Sequence, residues 1–173
     1  RRRRKIKKIT PQQFKKIEIV KLTRQSKEEA SKVLAGAGEY FVENDDREKA
    51  LGYLEQAIEL DENNTDAKLA LSEVYTTVAD ATAEKAEGYA VLAAEAVKAE
   101  KQSDVRKYLT LEKFATQKVE NDLKRAIELD DKNSSAYSSL GSFYDNKDDD
   151  AKAKENYEKA LALDETLFKV KAP

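Results

Sequence analysis

Four residue types are missing from this chain of 173 residues: cysteine, histidine, methionine and tryptophan. Without cysteine there is no disulfide frame, no thiol nucleophile and no zinc–thiolate site. Without histidine there is no imidazole to serve as base or metal ligand. The missing methionine gives the expectation that Arg1 is not a native start and that the chain is a processed or trimmed product. Proline (two) and glycine (five) are scarce, so little interrupts a composition rich in Ala, Glu, Lys and Leu, which reads as mostly helical. No apolar run approaches the length needed to cross a bilayer. No Gly-rich phosphate loop, serine elbow or metal-ligand spacing occurs either, and pairs among 34 carboxylates on helical surfaces arise by chance. The expectation is therefore of no catalytic residue, no metal and no cofactor, and of a chain that is not an enzyme.

Charge is abundant and unevenly placed. The net −2 hides eleven Lys or Arg against Glu18 alone in residues 1–24, a balance of +10. The remaining residues carry 21 bases and 33 acids, a balance of −12. A basic arm, 1–25, is thus expected ahead of an acidic body, 26–173, and a charge block of this kind commonly serves as an interaction tail.

Within the body, Tyr137, Leu140, Gly141 and Tyr144 fall at i, i+3, i+4 and i+7, one stripe of a helix. After an Asp-rich turn, Ala153, Tyr157 and Ala160 form a matching stripe. Leu34, Ala37, Gly38, Phe41, Ala50, Leu54 and Ala57 stand 103 residues before their counterparts in that set. Gly38, Gly141 and the alanines Ala50, Ala57, Ala153 and Ala160 would let two helices approach closely, with Phe41 and Tyr144 filling the remainder. A helical hairpin of this kind cannot bury its apolar face alone and needs neighbours stacked on it.

This pattern resembles the tetratricopeptide repeat, a helix–turn–helix unit of about 34 residues, with Glu62 and Glu165 where the closing proline is expected. The resemblance implies an all-α, helical-hairpin solenoid, with repeats near 31–64 and 134–167 and a divergent or extended stretch at 65–133. Ser26 and Glu29 have the spacing of a capping box for the first helix, which is expected to reach Glu43. Thr65–Val78 reads as a first helix, with Lys68, Leu71, Ser72 and Tyr75 at the family's positions. A partner helix over 83–101 follows through Ala86, Ala90 and Ala93. Ser103 or Asp104 would then cap one long, altered central helix to Leu129, with no hairpin turn inside it. DENN (61–64) and DDKN (130–133) are expected inter-repeat turns. Residues 10–24 fit a helix or a strand, and Leu167, Phe168 and Val170 would cover the open end of the last hairpin.

In this family ligands usually lie in a concave groove lined by the first helix of each repeat. The corresponding positions here are Glu39, Val42 and Glu43, then Leu69, Glu73 and Thr76, then Ser138, Ser142, Asp145 and Asn146. Ala35 and Glu39 stand where members that grip a C-terminal carboxylate carry lysine and asparagine, so that mode is not expected. An acidic lining of small residues suits a basic or neutral extended segment of a protein partner. The loop 145–150 fails as a calcium site, with Lys147 at the third place and Asp150 at the sixth, where oxygen and glycine are needed.

Arg1, Arg2, Arg3, Arg4, Lys5, Lys7 and Lys8 are candidates for contact with an anionic surface. No aromatic is interleaved among them, which places nucleic acid behind a membrane flank or a docking arm. The function expected is a scaffold or adaptor, as component or assembly factor of a larger complex at a membrane's cytoplasmic face or in the cytoplasm, with a homo-oligomer open. The rival is an adaptor whose main ligand is anionic lipid or nucleic acid, held by the arm.

Overall fold

Two kinds of turn, each used more than once, organise the chain. A computed structural model describes residues 24–171, and side chains over 25–164. The basic arm, the choice between helix and strand over 10–24, and the side chains of Leu167, Phe168 and Val170 lie outside the described residues. Six helices follow in order: α1 (Arg24–Glu43), α2 (Arg47–Leu60), α3 (Thr65–Lys98), α4 (Gln102–Leu129), α5 (Ser134–Asp145) and α6 (Asp150–Lys171). The regular structure among the described residues is all-α, in the helical hairpins from which solenoids are built.

The first kind of turn closes each hairpin. Asp45, Glu100 and Asp148 take left-handed backbone at φ 57°, 60° and 57°. In each case the next amide donates back to a carbonyl five residues earlier: Asp46 to Phe41 (2.9 Å), Lys101 to Ala96 (3.0 Å) and Asp149 to Tyr144 (2.9 Å). This is the Schellman arrangement that satisfies the last carbonyls of a helix. The second kind joins one hairpin to the next, at DENN and DDKN. Asp61 and Asp130 accept at Oδ1 from the amides of Asn63 and Lys132, and Asn64 and Asn133 accept from those of Ala67 and Ala136. Each asparagine thereby occupies an otherwise unpaired amide of the helix it opens.

The same two asparagines tie the helices together. Ser31 Oγ donates to the Ala57 carbonyl (2.6 Å) and accepts from Asn64 Nδ2 (2.8 Å). Ser72 Oγ donates to the Ala126 carbonyl (2.8 Å) and accepts from Asn133 Nδ2 (2.8 Å). Both serines are fully buried, where an unpaired hydroxyl would be costly.

The chain divides into two compact units between Ala70 and Leu71. In the first, α1 and α2 bury Leu34, Ala37, Phe41, Ala50, Leu54 and Ala57. Phe41 stacks on Tyr53 with ring centres 5.3 Å apart. A Cβ on Gly38 would sit 2.5 Å from Leu54 Cγ, so the glycine is what lets α1 and α2 meet. In the second unit the core holds Ala79, Val119, Leu123, Leu140, Phe143, Tyr144 and Ala153, with Ala83 and Ile127 packed against it. Gly141 plays the role of Gly38, its Cβ position lying 2.7 Å from Tyr157 Cδ1.

Four sequence expectations are corrected. The helices expected at 65–78 and 83–101 are one helix, α3, because Ala-Asp-Ala-Thr at 79–82 holds no breaker and the Thr82 hydroxyl folds back onto the Val78 carbonyl. The first helix is already formed at Arg24, which places Ser26 inside it and not at its cap. The cap of α4 is Lys101, without a side-chain hydrogen bond, not Ser103 or Asp104. The register of the middle stretch also moves. Ser72 takes the place of Ser31 in the serine–asparagine link, not that of Gly38, and Ala79 joins Leu123 in the core as Gly38 joins Leu54. The slip is seven residues, two helical turns, and such a slip leaves the buried face unchanged.

The middle stretch is therefore a single hairpin of unusual length. Ser31 and Ala57 are 26 residues apart and Ser72 and Ala126 are 54 apart, a difference of 28. Measured to the left-handed turn residues Asp45 and Glu100, each arm gains 14 of these. Fourteen residues are two heptads, about 21 Å of helix at 1.5 Å per residue. In α4 the covered residues Val105, Tyr108, Glu112, Ala115, Val119, Asp122 and Ala126 alternate by three and four along that length.

Candidate functional site

In the second unit α3, α4 and α5 leave an open groove of about 570 Å³ between them. Its apolar lining comes from Ala83, Ala86 and Ala90 of α3, Val119 and Leu123 of α4, and Phe143 of α5. The small alanines of α3 keep the groove open, since larger residues at those places would fill it. Asp80, Glu87 and Glu112 add three carboxylates, against Lys147 as the one cation. Ser138, Ser139, Ser142, Thr116 and Asn146 supply hydroxyl and amide groups that can donate and accept. The Lys147 ammonium stands 4.6 Å from the centre of the Phe143 ring, a cation–π contact that fixes it beside the groove.

Outside the groove lining, Tyr144 donates its hydroxyl to Glu120 Oε1 (3.1 Å), and Lys124 Nζ donates to the same oxygen (2.7 Å). The Lys124 ammonium holds the Glu120 carboxyl below its ordinary range; partial burial opposes this and the Tyr144 hydroxyl adds to it. The Tyr144–Glu120 hydrogen bond links α4 to α5.

Of the groove residues expected from sequence, Ser138, Ser142 and Asn146 line this site together, and Asp145 is exposed at the end of α5. Glu39, Val42, Glu43 and Leu69 are exposed in the first unit, and Glu73 is exposed in the second. Thr76 is the exception. It is buried, donates its hydroxyl to the Ser72 carbonyl (2.9 Å) and receives Asn133 Nδ2 (3.2 Å), so it belongs to the link between helices and not to a binding surface. The repeat-packing set, Gly38, Phe41, Ala50, Ala57, Gly141, Tyr144, Ala153 and Ala160, is buried throughout. The sequence reading missed Asp80, Glu87, Glu112 and Thr116. The signal that would have found them is the DENN–DDKN correspondence, which anchors the end of α4 and hence the register of the middle hairpin.

Among the described residues no helix is long and apolar enough to cross a membrane, and no cluster of three or more potential metal-ligating side chains occurs. The family model described as "Tetratricopeptide repeat" matches residues 31–64 and 134–167. Solved structures that match include two of MamA. One is 17% identical and covers 84% of this chain and 97% of its own, at a TM-score of 0.31. The other is 16% identical and covers 84% and 89%, at a TM-score of 0.32. No curated protein matches the sequence. The two matched segments are the hairpins closed by Asp45 and Asp148, with Gly38 and Gly141 at their helix crossings: these two segments are tetratricopeptide repeats.

Proposed function

We propose that the groove between α3, α4 and α5 takes an extended, basic or neutral segment of a partner protein, and that the chain serves in this way as a component or assembly factor of a larger complex. One observation carries the reading: three carboxylates face a largely apolar channel with a single lysine to balance them. Charge of one sign along a groove raises the local concentration of oppositely charged ligand and favours its approach. Glu39, Val42, Glu43, Leu69 and Glu73, exposed in their respective units, are proposed as contacts for partners of the same class. We also propose the division into a basic arm over 1–25 and a repeat body over 26–173.

The test uses two labelled peptides, one alternating lysine with alanine and one alternating glutamate with alanine, read by fluorescence anisotropy. The lysine peptide is expected to bind, more weakly as salt rises, and to lose affinity in Glu87→Lys/Glu112→Lys. Equal affinity for both peptides, or no effect of the double substitution, would remove the groove from the proposal.

A second reading rests on the arm, where Arg1, Arg2, Arg3, Arg4, Lys5, Lys7 and Lys8 stand within eight positions of the sequence. Juxtamembrane bases contribute about 1 kcal/mol each at an anionic membrane. On this reading the chain works at a membrane's cytoplasmic face. Co-sedimentation with phosphatidylserine vesicles, lost on deleting 1–10, supports it; unchanged sedimentation of the trimmed chain removes it.

A further inference from the structure

The three acids of the groove between α3, α4 and α5 have no base to neutralise them. Asp80 and Glu87 are exposed, and Glu112 is half-buried, its Oε1 accepting from the Thr116 hydroxyl (3.0 Å). None of the three joins an ion pair among the described residues, where other acids do pair with a lysine or arginine two to four residues away. Lys147, the one base in the lining, is held at the Phe143 ring. Lys85, Lys113 and Lys118 are near these acids in sequence but do not line the groove.

The same chain carries the complement of this lining. Residues 1–10 hold seven bases and no acid, and Ile6 stands between Arg4-Lys5 and Lys7-Lys8. The groove sets its three carboxylates around an apolar lining of Ala83, Ala86, Val119 and Leu123. The lengths agree as well. Along α3 the lining runs from Asp80 to Ala90 and along α5 from Ser138 to Lys147, about 15 Å and 14 Å at 1.5 Å per residue. Five residues of extended chain cover about 17 Å. Arg4–Lys8 therefore fits, with four cations for three carboxylates and one isoleucine for the apolar lining. Beyond residue 8 no five consecutive residues carry four bases, so no other segment of the chain offers this match.

Given the groove reading above, on which this depends, we propose that Arg4–Lys8 of one copy enters the groove of a second copy. The arm then competes with a partner's basic segment for one site. The arm belongs to the first compact unit and the groove to the second. A second copy can present its groove to the arm however the two units of one copy are arranged. Arm and groove are different surfaces, so the contact is head to tail and each added copy keeps one of each free. Contacts of this kind build rings where the rotation closes and open chains where it does not. Exposed charge pairs contribute little each and are screened by salt, and Ile6 adds the burial of one apolar side chain. Association is therefore weak: it rises with concentration and falls with ionic strength.

The test is the molar mass of the full chain by sedimentation velocity and light scattering over a wide concentration range. The wild type is expected to grow with concentration, less so as salt is raised. Deletion of 1–10 and, separately, Glu87→Lys/Glu112→Lys are each expected to give a monomer that is folded by circular dichroism. Mixed, these two variants join one arm to one groove and are expected to stop at a one-to-one dimer. Ile6→Ser keeps every charge and is expected to weaken association about tenfold. An excess of the lysine–alanine peptide is expected to disperse the wild type. A wild type that stays monomeric, a mixture that forms no dimer, or an Ile6→Ser chain that associates like the wild type overturns the proposal. Peptide binding by the trimmed chain tells this failure from that of the groove itself. If the trimmed chain binds the lysine peptide while the wild type stays monomeric, the arm is removed as occupant and the groove reading stands. If it binds none, both are removed. A monomeric wild type that binds the peptide more weakly than the trimmed chain does puts the arm in its own groove, which overturns the exchange between copies.

Discussion

Alanine at Gly38 and at Gly141 is the same change at equivalent points of two repeats, and the structure assigns it different outcomes. In each helix interior the substitution gains about 0.5–1 kcal/mol from the backbone. At Gly38 the new methyl would lie 2.5, 2.7 and 3.3 Å from Leu54 Cγ, Cδ2 and Cδ1. The branch point of a fully buried leucine is involved, so it has nowhere to go. Overpacking of this sort costs about 1–3 kcal/mol, and with the branch point itself in the way the upper half of that range applies, leaving a net loss of about 1–2.5 kcal/mol. For a chain of this length that is a fall of about 2–10 °C in Tm. At Gly141 the methyl would meet the Tyr157 ring at 2.7, 2.8 and 3.0 Å, but that ring is 39% exposed and can swing into water. Gly141→Ala is therefore expected within about 0.5 kcal/mol of wild type. Thermal and urea melts followed by far-ultraviolet circular dichroism measure both, and Gly38→Ala/Leu54→Ala serves as the coupling control, since relief of the clash must show as non-additivity. Gly38→Ala melting at or above wild type, or below Gly141→Ala in destabilisation, would refute the packing argument.

Two further outcomes follow from the hydrogen bonds. Asn64→Asp and Asn133→Asp keep the acceptor that caps α3 and α5 but lose the donor to Ser31 and Ser72, whereas alanine loses both; urea melts are expected to show alanine costing about 1–2 kcal/mol and aspartate less at each site, and equal losses would discard the serine link. The Glu120 carboxyl, held down by Lys124, is expected to titrate below an ordinary glutamate in carbon-detected NMR and to move up in Tyr144→Phe. Because its folded pKa lies below the unfolded one, the stability it contributes is present above the unfolded value and is lost as pH falls through the folded value; a Glu120 that titrates normally would remove that contribution.

The two end repeats were legible because their chemistry is local. Gly38 and Gly141 announce a close approach, and the Asp and Asn residues of DENN and DDKN make turns with their own side chains, whatever surrounds them. The middle was not legible, for a reason of period. Lys68, Leu71, Ser72 and Tyr75 fit one register and Ser72, Thr76 and Ala79 fit another seven residues on, and both put the same stripe inward. Thr76, read as groove lining, is buried because in the second register it faces Asn133. The groove carboxylates Asp80, Glu87 and Glu112 were hidden by the same slip, since their place beside Ser142 depends on where α4 ends against α3.

The amino-acid sequence by itself determined the helical class, the kind of turn between hairpins and the small residues at helix crossings, because each depends on side chains acting within a few residues of themselves. Only the tertiary structure decided that 65–98 is one helix, that its hairpin runs two heptads past the size of its neighbour, and which acids share a groove with the serines of α5. Those features rest on which turn of one helix lies beside which turn of another. A repeat of 3.6 residues per turn leaves that choice open until the Ser72–Ala126–Asn133 hydrogen bonds fix it.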